Sequence, residues 1–330
     1  MKNLTIPNLK ALLDGFSQSR IMVLGDIMLD EYLWGKVQRI SAEAPVPIIE
    51  LNHEEFRLGG AANVALNLAA LGAKVELVGV CGKDSYAQTV MSLLKQQNLS
   101  SSGIFEDSNR PTTLKTRIGA VSQQIVRLDR EDTSDIGASL RDLILEHIRQ
   151  EIPHCDALII EDYDKGLLNK DMIEHVLRMA TESHIPVAVD PKKKNFGFYQ
   201  GIEILKPNYS EIQNYLGKHY SEQNGFFAAA EAMQKDMQCK HLVVTCGSEG
   251  MYVFTMGKEP QHLPSFAKEV FDVSGAGDTV ISTLCLAYLG TKDILSAALI
   301  ANHAAAVVVA KHGTATVNCK EILDSFDEQQ

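Results

Sequence analysis

The six cysteines of this 330-residue chain lie at positions 81, 155, 239, 246, 285 and 319, with no Cys-x-x-Cys pair and no histidine at zinc-ligand spacing. A sequence-encoded zinc site and a dithiol redox motif are excluded, and the thiols are expected to be buried or idle in a reducing compartment. No apolar run reaches the roughly 20 residues that a bilayer-spanning helix needs. The first sixteen residues, MKNLTIPNLKALLDGF, lack the apolar core and small-residue cleavage site of an export signal. A cytoplasmic protein without a membrane partner is therefore expected. Positive charge is also scarce: 31 Lys+Arg against 42 Asp+Glu give a net charge of −11, the wrong sign for a surface that binds nucleic acid. The familiar phosphate motifs are missing too. There is no G-x-x-x-x-G-K-[ST] loop, and no G-x-G-x-x-G follows a strand, which argues against a dehydrogenase. No internal repeat, low-complexity segment or interdomain linker is visible, so a single domain over 1–330 is expected.

What is present alternates. Short apolar β-rich runs at 21–26, 75–80, 157–160, 187–190, 204–206 and 242–245 are separated by helical patterns at 63–71, 85–97, 140–150, 170–183 and 225–237. This predicts an α/β fold with a mainly parallel sheet covered by helices on both faces. Ligands of such sheets bind beyond the carboxyl ends of the strands. Two stretches break the rhythm. Residues 32–57 contain Pro45-Val46-Pro47, and 111–130 are rich in Thr, Val and Ile. Both read as extended ribbons, placed together as a small β-sheet projecting from the main domain; two irregular edge hairpins are the alternative. Open strand edges invite pairing, so a homodimer through these ribbons is expected.

The most informative segment is Asp272-Val273-Ser274-Gly275-Ala276-Gly277-Asp278-Thr279, a turn of small residues running into an apolar helix over 280–289 that is expected to stop at Gly290. The first N–H groups of a helix lack intrahelical partners and carry the positive end of its dipole. Gly275, Ala276 and Gly277 therefore make a donor cradle for charge on a transferring phosphoryl group. Asp278 either caps the helix or acts as a general base toward an attacking hydroxyl. A second diglycine, Gly59-Gly60, precedes a helix that opens near Asn63. It reads either as tight packing with an Asn cap or as a close approach to a polyhydroxy ligand, bonded by the Asn63 amide.

Together these segments resemble the two signatures of the PfkB, or ribokinase-like, carbohydrate kinase family, over nearly the whole chain. The resemblance implies a three-layer α/β/α domain with a β-sheet lid made by the ribbons, and ATP with Mg²⁺ as cofactors. It makes Asp278 the catalytic base and Gly275, Ala276 and Gly277 the anion hole. It places Asp30 on the sugar with Gly59, Gly60 and Asn63. It puts Asn208, Tyr209, Ser210 and Glu211 near the ATP phosphates, with Glu211 acting indirectly on the metal. Thr245 and Gly247 would touch the nucleotide, Asn302 would lie beside the adenine, and Asp272 would sit where relatives help bind a monovalent cation.

Residues 25–30, 39–47, 123–129 and 162–166 further resemble the heptose-kinase branch. That implies phosphorylation of the anomeric hydroxyl of a heptose 7-phosphate, in the supply of lipopolysaccharide precursors, by a stand-alone kinase. Asp162, Lys165 and Gln124 join the substrate residues on this basis. Lys115, Arg117 and Arg127 in the second ribbon suit the distal phosphate, since charge-assisted bonds are strong; Arg57 enters the diglycine turn. Lys192-Lys193-Lys194 reads as a solvated loop, and His303 and His312 as structural. A kinase for another sugar or a nucleoside, and a non-catalytic sensing module on the same scaffold, are the alternatives.

Overall fold

The computed structural model describes residues 5–120, 123–220, 222–311 and 313–328. Its strands are β1 (Arg20–Gly25), β2 (Ile27–Ile40), β3 (Pro47–Gly60), β4 (Lys74–Gly82), β5 (Gly103–Asp107), β6 (Thr113–Ala120), β7 (Gln123–Arg130), β8 (Ala157–Glu161), β9 (Val187–Asp190), β10 (Ile204–Leu205), β11 (His241–Thr245), β12 (Met251–Thr255) and β13 (Gln261–Leu263). The large sheet runs β13-β12-β11-β10-β9-β8-β1-β4-β5. It is parallel from β5 to β11, and β12 and β13 add antiparallel at one edge.

Central strands are apolar without alternation because both faces are covered. Ile21 and Val23 of β1 and Ala157 and Ile159 of β8 pack into one core. Met22, Leu24, Leu158 and Ile160 pack into the other. Helices Ala61–Ala70, Ala276–Thr291 and Ile294–Val309 cover the first face; Ala138–Glu151, Lys170–Glu182 and Gln223–Asp236 cover the second. The helix Ala276–Thr291 does not stop at Gly290. It ends on Lys292, in the left-handed region at φ 52°. Gly290 is required by packing instead, since a Cβ there would meet Leu12 Cδ1 at 2.2 Å.

Chain order fixes where a ligand can sit. From β1 the chain builds outward through β4 and β5 on one side, then through β8 to β11 on the other. Adjacent β1 and β8 therefore form the topological switch, where their carboxyl ends leave a crevice. Over this edge stands the smaller sheet, in the order β3-β2-β6-β7. In it β2 pairs antiparallel with β3 and parallel with β6, and β6 pairs antiparallel with β7. Among the described residues no helix is long and apolar enough to cross a membrane.

Candidate active site

Three neighbouring apolar strands end at a charged residue in the crevice. Glu161 closes β8, Asp190 closes β9, and Lys206 follows β10. All three are buried, as is Asp278 in the first turn of Ala276–Thr291. Carboxylate oxygens of Glu161, Asp190 and Asp278 lie within 4.8 Å of one another. Lys206 Nζ stands 2.7 Å from Asp190 Oδ2 and would be 3.4 Å from a Cβ at Gly277. The helix start, the lysine and the acids thus converge.

Asp278 does not cap its helix. Its Oδ2 accepts a 2.6 Å hydrogen bond from Asn63 Nδ2, and its Oδ1 accepts one of 3.2 Å from the Tyr163 hydroxyl. The turn before it needs Gly275, which sits at φ +79° where a Cβ would come within 2.9 Å of Asn63 Nδ2. The Ala276 N–H turns back to the Val273 carbonyl at 3.2 Å. Of the expected cradle of Gly275, Ala276 and Gly277, the Ala276 N–H is thus engaged, while among the described residues the N–H groups of Gly275 and Gly277, and of Asp278 beside them, make no backbone hydrogen bond. Burial raises the Asp278 pKa from 3.8 to about 6; Asp190 adds to the rise, and Asn63, Lys206 and Tyr163 oppose it. Burial, with Asp190 and Asp278 as neighbours, holds Glu161 well above the usual carboxylate range.

The loop carrying Tyr163 is rigidly placed. Asp26 Oδ2 accepts from the N–H of Tyr163 at 2.9 Å and of Lys165 at 3.1 Å. Asp162 accepts from Tyr199 Oη at 2.7 Å, Asn195 Nδ2 at 3.1 Å and its own loop's Asp164 N–H at 2.9 Å. It stands fully buried behind the crevice, which corrects its expected place against the substrate.

A cleft of about 690 Å³ past the carboxyl ends of β10 and β11 is lined by Asn208, Tyr209, Ser210, Thr245 and Gly247, with Phe226, Phe227 and Tyr252 as aromatic walls. Five residues assigned to the nucleotide thus share one cleft. Glu211 faces elsewhere: its Oε2 accepts the Asn208 N–H at 2.8 Å in a capping box, and its Oε1 pairs with Lys192. Lys192 also lies 5.0 Å from the centre of the Tyr163 ring. It is an inward-facing cation, not the solvated residue expected. Asn302 donates to the Pro264 carbonyl at 2.7 Å and does not line the cleft. Asp272 takes the amides of Ser274 at 2.8 Å and Gly313 at 3.1 Å. His303 stacks on Phe266 and Phe326 in the packed interior, and His312 lies outside the described residues.

Under the lid, Asp30 is flanked in register by Arg57 of β3 and Lys115 of β6, and its Oδ1 is 2.6 Å from Arg117. Gly59 stands so close that a Cβ there would meet Asp30 Oδ2 at 2.7 Å. The Tyr32 ring has Arg57 and Arg117 each 5.2 Å from its centre. Lys115 lies 3.3 Å from Asp129. Arg127 is bidentate to Asp129 and half exposed, and Gln124 is exposed on β7. Glu161, Tyr163, Asp190, Lys192 and Lys206 were missed by motif. The signal for Glu161, Asp190 and Lys206 was in plain sight, as a charge ending an apolar strand run.

Residues 18–321 match the family described as pfkB family carbohydrate kinase. The chain is 41% identical over 308 residues to the bifunctional protein HldE of Geobacter metallireducens, covering 93% of this chain and 63% of that protein. It is 41% identical over 303 residues to the HldE protein of Helicobacter pylori, covering 92% and 65%. It thus spans under two thirds of the length of these relatives. A ribokinase of Arabidopsis thaliana, solved with ribose and ATP, superposes with a TM-score of 0.74 at 18% identity over 93% of this chain and 98% of its own. Phosphofructokinase-2 of Escherichia coli, solved with potassium, gives 0.76 at 16% identity over 94% and 99%. These two carry the ribokinase-like fold, while the match over 18–321 decides membership: the chain belongs to the pfkB family of carbohydrate kinases.

Proposed function

We propose that this sugar kinase transfers the γ-phosphoryl group of ATP to the anomeric hydroxyl of D-glycero-β-D-manno-heptose 7-phosphate, in lipopolysaccharide precursor synthesis. One observation carries the chemistry: a buried carboxylate, Asp278, beside a helix start and a lysine, with its pKa brought to about 6. At neutral pH it is ionised and can accept the hydroxyl proton as the oxygen attacks phosphorus. The Gly277 and Asp278 N–H groups and Lys206 receive charge on the transferring group. The nucleotide occupies the cleft of Asn208 and Thr245, and the sugar lies under the lid near Asp30 and Asn63. The heptose rests on the sequence strings shared with that branch and on the likeness to HldE proteins.

The residues fit Mg²⁺. Both Glu161 oxygens and Asp190 Oδ1 are buried without a hydrogen-bond partner among the described residues. When all three are ionised, the carboxylates against Lys206 leave two negative charges, which a dication balances. Glu161 and Asp190 would hold it, with phosphate oxygens completing a hard-oxygen shell. The ion, when bound, neutralises phosphate charge. Exposed Val37, Ile40, Leu51 and Leu128 on the lid suit a second copy of the chain.

Coupled ADP release over heptose 7-phosphate, ribose, fructose 6-phosphate and adenosine, titrated with Mg²⁺ and K⁺, tests the reading. Preference for the heptose phosphate is expected. Preference for another acceptor removes the substrate, and a flat assay with tight sugar binding leaves a sensing module. A monomeric mass by light scattering removes the dimer.

Tyr163 gives a finer test. Its hydroxyl stabilises the ionised Asp278, so Tyr163→Phe raises the base's pKa. A hydrogen bond of about 0.5–1.5 kcal/mol corresponds to about 0.4–1 pKa unit. The acid limb of kcat/KM, expected near the Asp278 value of about 6, should move to higher pH by that amount. An unmoved limb would show that the contact does not tune the base.

A further inference from the structure

A carboxylate at the end of the lid stands between a lid lysine and a lysine of the loop after β8. Glu131 is the first residue past β7. Its Oε1 lies 2.8 Å from Lys165 Nζ and its Oε2 lies 3.6 Å from Lys115 Nζ. Oε2 is buried and makes no hydrogen bond among the described residues. Lys115 divides itself between this oxygen and Asp129 Oδ2 at 3.3 Å, both longer than a good charge-assisted bond. The two ammonium side chains are only 14% and 15% exposed, so they face inward.

The cations are fixed more firmly than the carboxylate. Lys115 lies within β6, paired with Asp30 on one side and Asp129 on the other. The backbone of Lys165 is tied by Asp26 to its N–H at 3.1 Å and by Arg110 to its carbonyl at 2.8 Å. Glu131 lies outside both ladders and can swing away without breaking a strand pair. The same short loop that carries Lys165 carries Tyr163, which bonds Asp278. One loop therefore links the lysine pair to the base, so that both border the same site.

From this geometry we propose that Lys115 and Lys165 form the subsite for the phosphate of a phosphorylated sugar, and that Glu131 is a displaceable occupant of it. A phosphate monoester brings nearly two charges and three acceptor oxygens, where Glu131 brings one charge and leaves one oxygen unbonded. Substrate phosphate exchanges for the carboxylate, and Glu131 sets the threshold of that exchange. The inference rests on the substrate reading above and assigns its phosphate to Lys115 of the lid and Lys165 of the loop after β8.

The test is the sign of opposite variants. Glu131→Gln keeps the shape and removes the competing charge, so KM for heptose 7-phosphate should fall about 3–10-fold with kcat little changed. Lys115→Ala and Lys165→Ala should raise that KM 10-fold or more. KM for the same heptose lacking its phosphate should move in none of them. Melting curves confirm that each variant folds. If Glu131→Gln raises KM, or both lysine variants leave it unchanged while wild type turns over heptose 7-phosphate, the subsite is overturned and the substrate reading survives. If wild type prefers another phosphosugar, the heptose falls and the same variants decide the subsite on that substrate. Turnover of unphosphorylated sugars alone overturns both.

Discussion

Asp278→Asn should lower kcat by about 10²–10⁴-fold, the usual contribution of a positioned general base, while raising the melting temperature of the protein. The two effects have one cause. Burial lifts the Asp278 pKa from 3.8 to about 6, so the folded state holds the proton more tightly than the unfolded chain does. Stability is then lost as pH rises through that window and stays lost at pH 7. At about 1.4 kcal/mol per unit, the ionised carboxylate costs the fold about 3 kcal/mol at pH 7. A neutral amide removes this cost but mismatches one of its two donors, Asn63 or Tyr163, which takes back about 1 kcal/mol. The net gain of about 2 kcal/mol at pH 7.5 should shrink as pH falls through about 6 and vanish near about pH 4.5, where protonation of the folded carboxyl has cut its cost to that of the mismatched donor. KM for ATP should stay near wild type, because the cleft of Asn208 and Thr245 does not include this residue. Rate loss under 10-fold would remove the base, and a lower melting temperature at pH 7.5 would remove the account of its strain.

The parallel sheet was legible because burial on both faces writes uninterrupted apolar runs, as at 157–160 and 187–190. The ribbons were legible because they lack a helical period. The edge strands β12 and β13 were not, since three to five residues give too little period to separate strand from loop. Within the crevice, glycine and aspartate at 275–278 pointed to the helix start. Which amides remain available was invisible, because that depends on the turn from Ala276 to Val273. Tyr163 lay inside a string read for Asp162 and Lys165, but its hydroxyl reaches a residue 115 positions away. No local pattern encodes such a contact. Asp162 and Lys192 exchanged roles for the same reason: tertiary neighbours, Tyr199 in one case and Glu211 in the other, decide which charge faces inward.

Lys206→Met should destabilise the protein by about 3–5 kcal/mol, the loss typical when one member of a buried ion pair is removed. Lys206 is 2% exposed and is bonded to Asp190 at 2.7 Å. Methionine fills similar space, so the cost is electrostatic: Glu161, Asp190 and Asp278 remain within 4.8 Å of one another with their bonded cation gone. Desolvation opposes a charged Lys206, but Asp190 and Glu161 outweigh it and hold its pKa above normal. The wild-type ammonium is therefore charged at every working pH, and the penalty in the variant comes from the acids. Protonation relieves it, so the stability difference between wild type and Lys206→Met should shrink on moving from pH 7.5 to pH 5. Adding Asp190→Asn to Lys206→Met should restore a large part of the loss, because the charge left unpaired is then removed; contacting residues couple in this way by about 0.5–3 kcal/mol. Denaturant melts of the single and double variants at the two pH values measure both terms. A loss independent of pH, or one that Asp190→Asn leaves untouched, would mean that Lys206 supports packing and does not balance the clustered acids of the crevice.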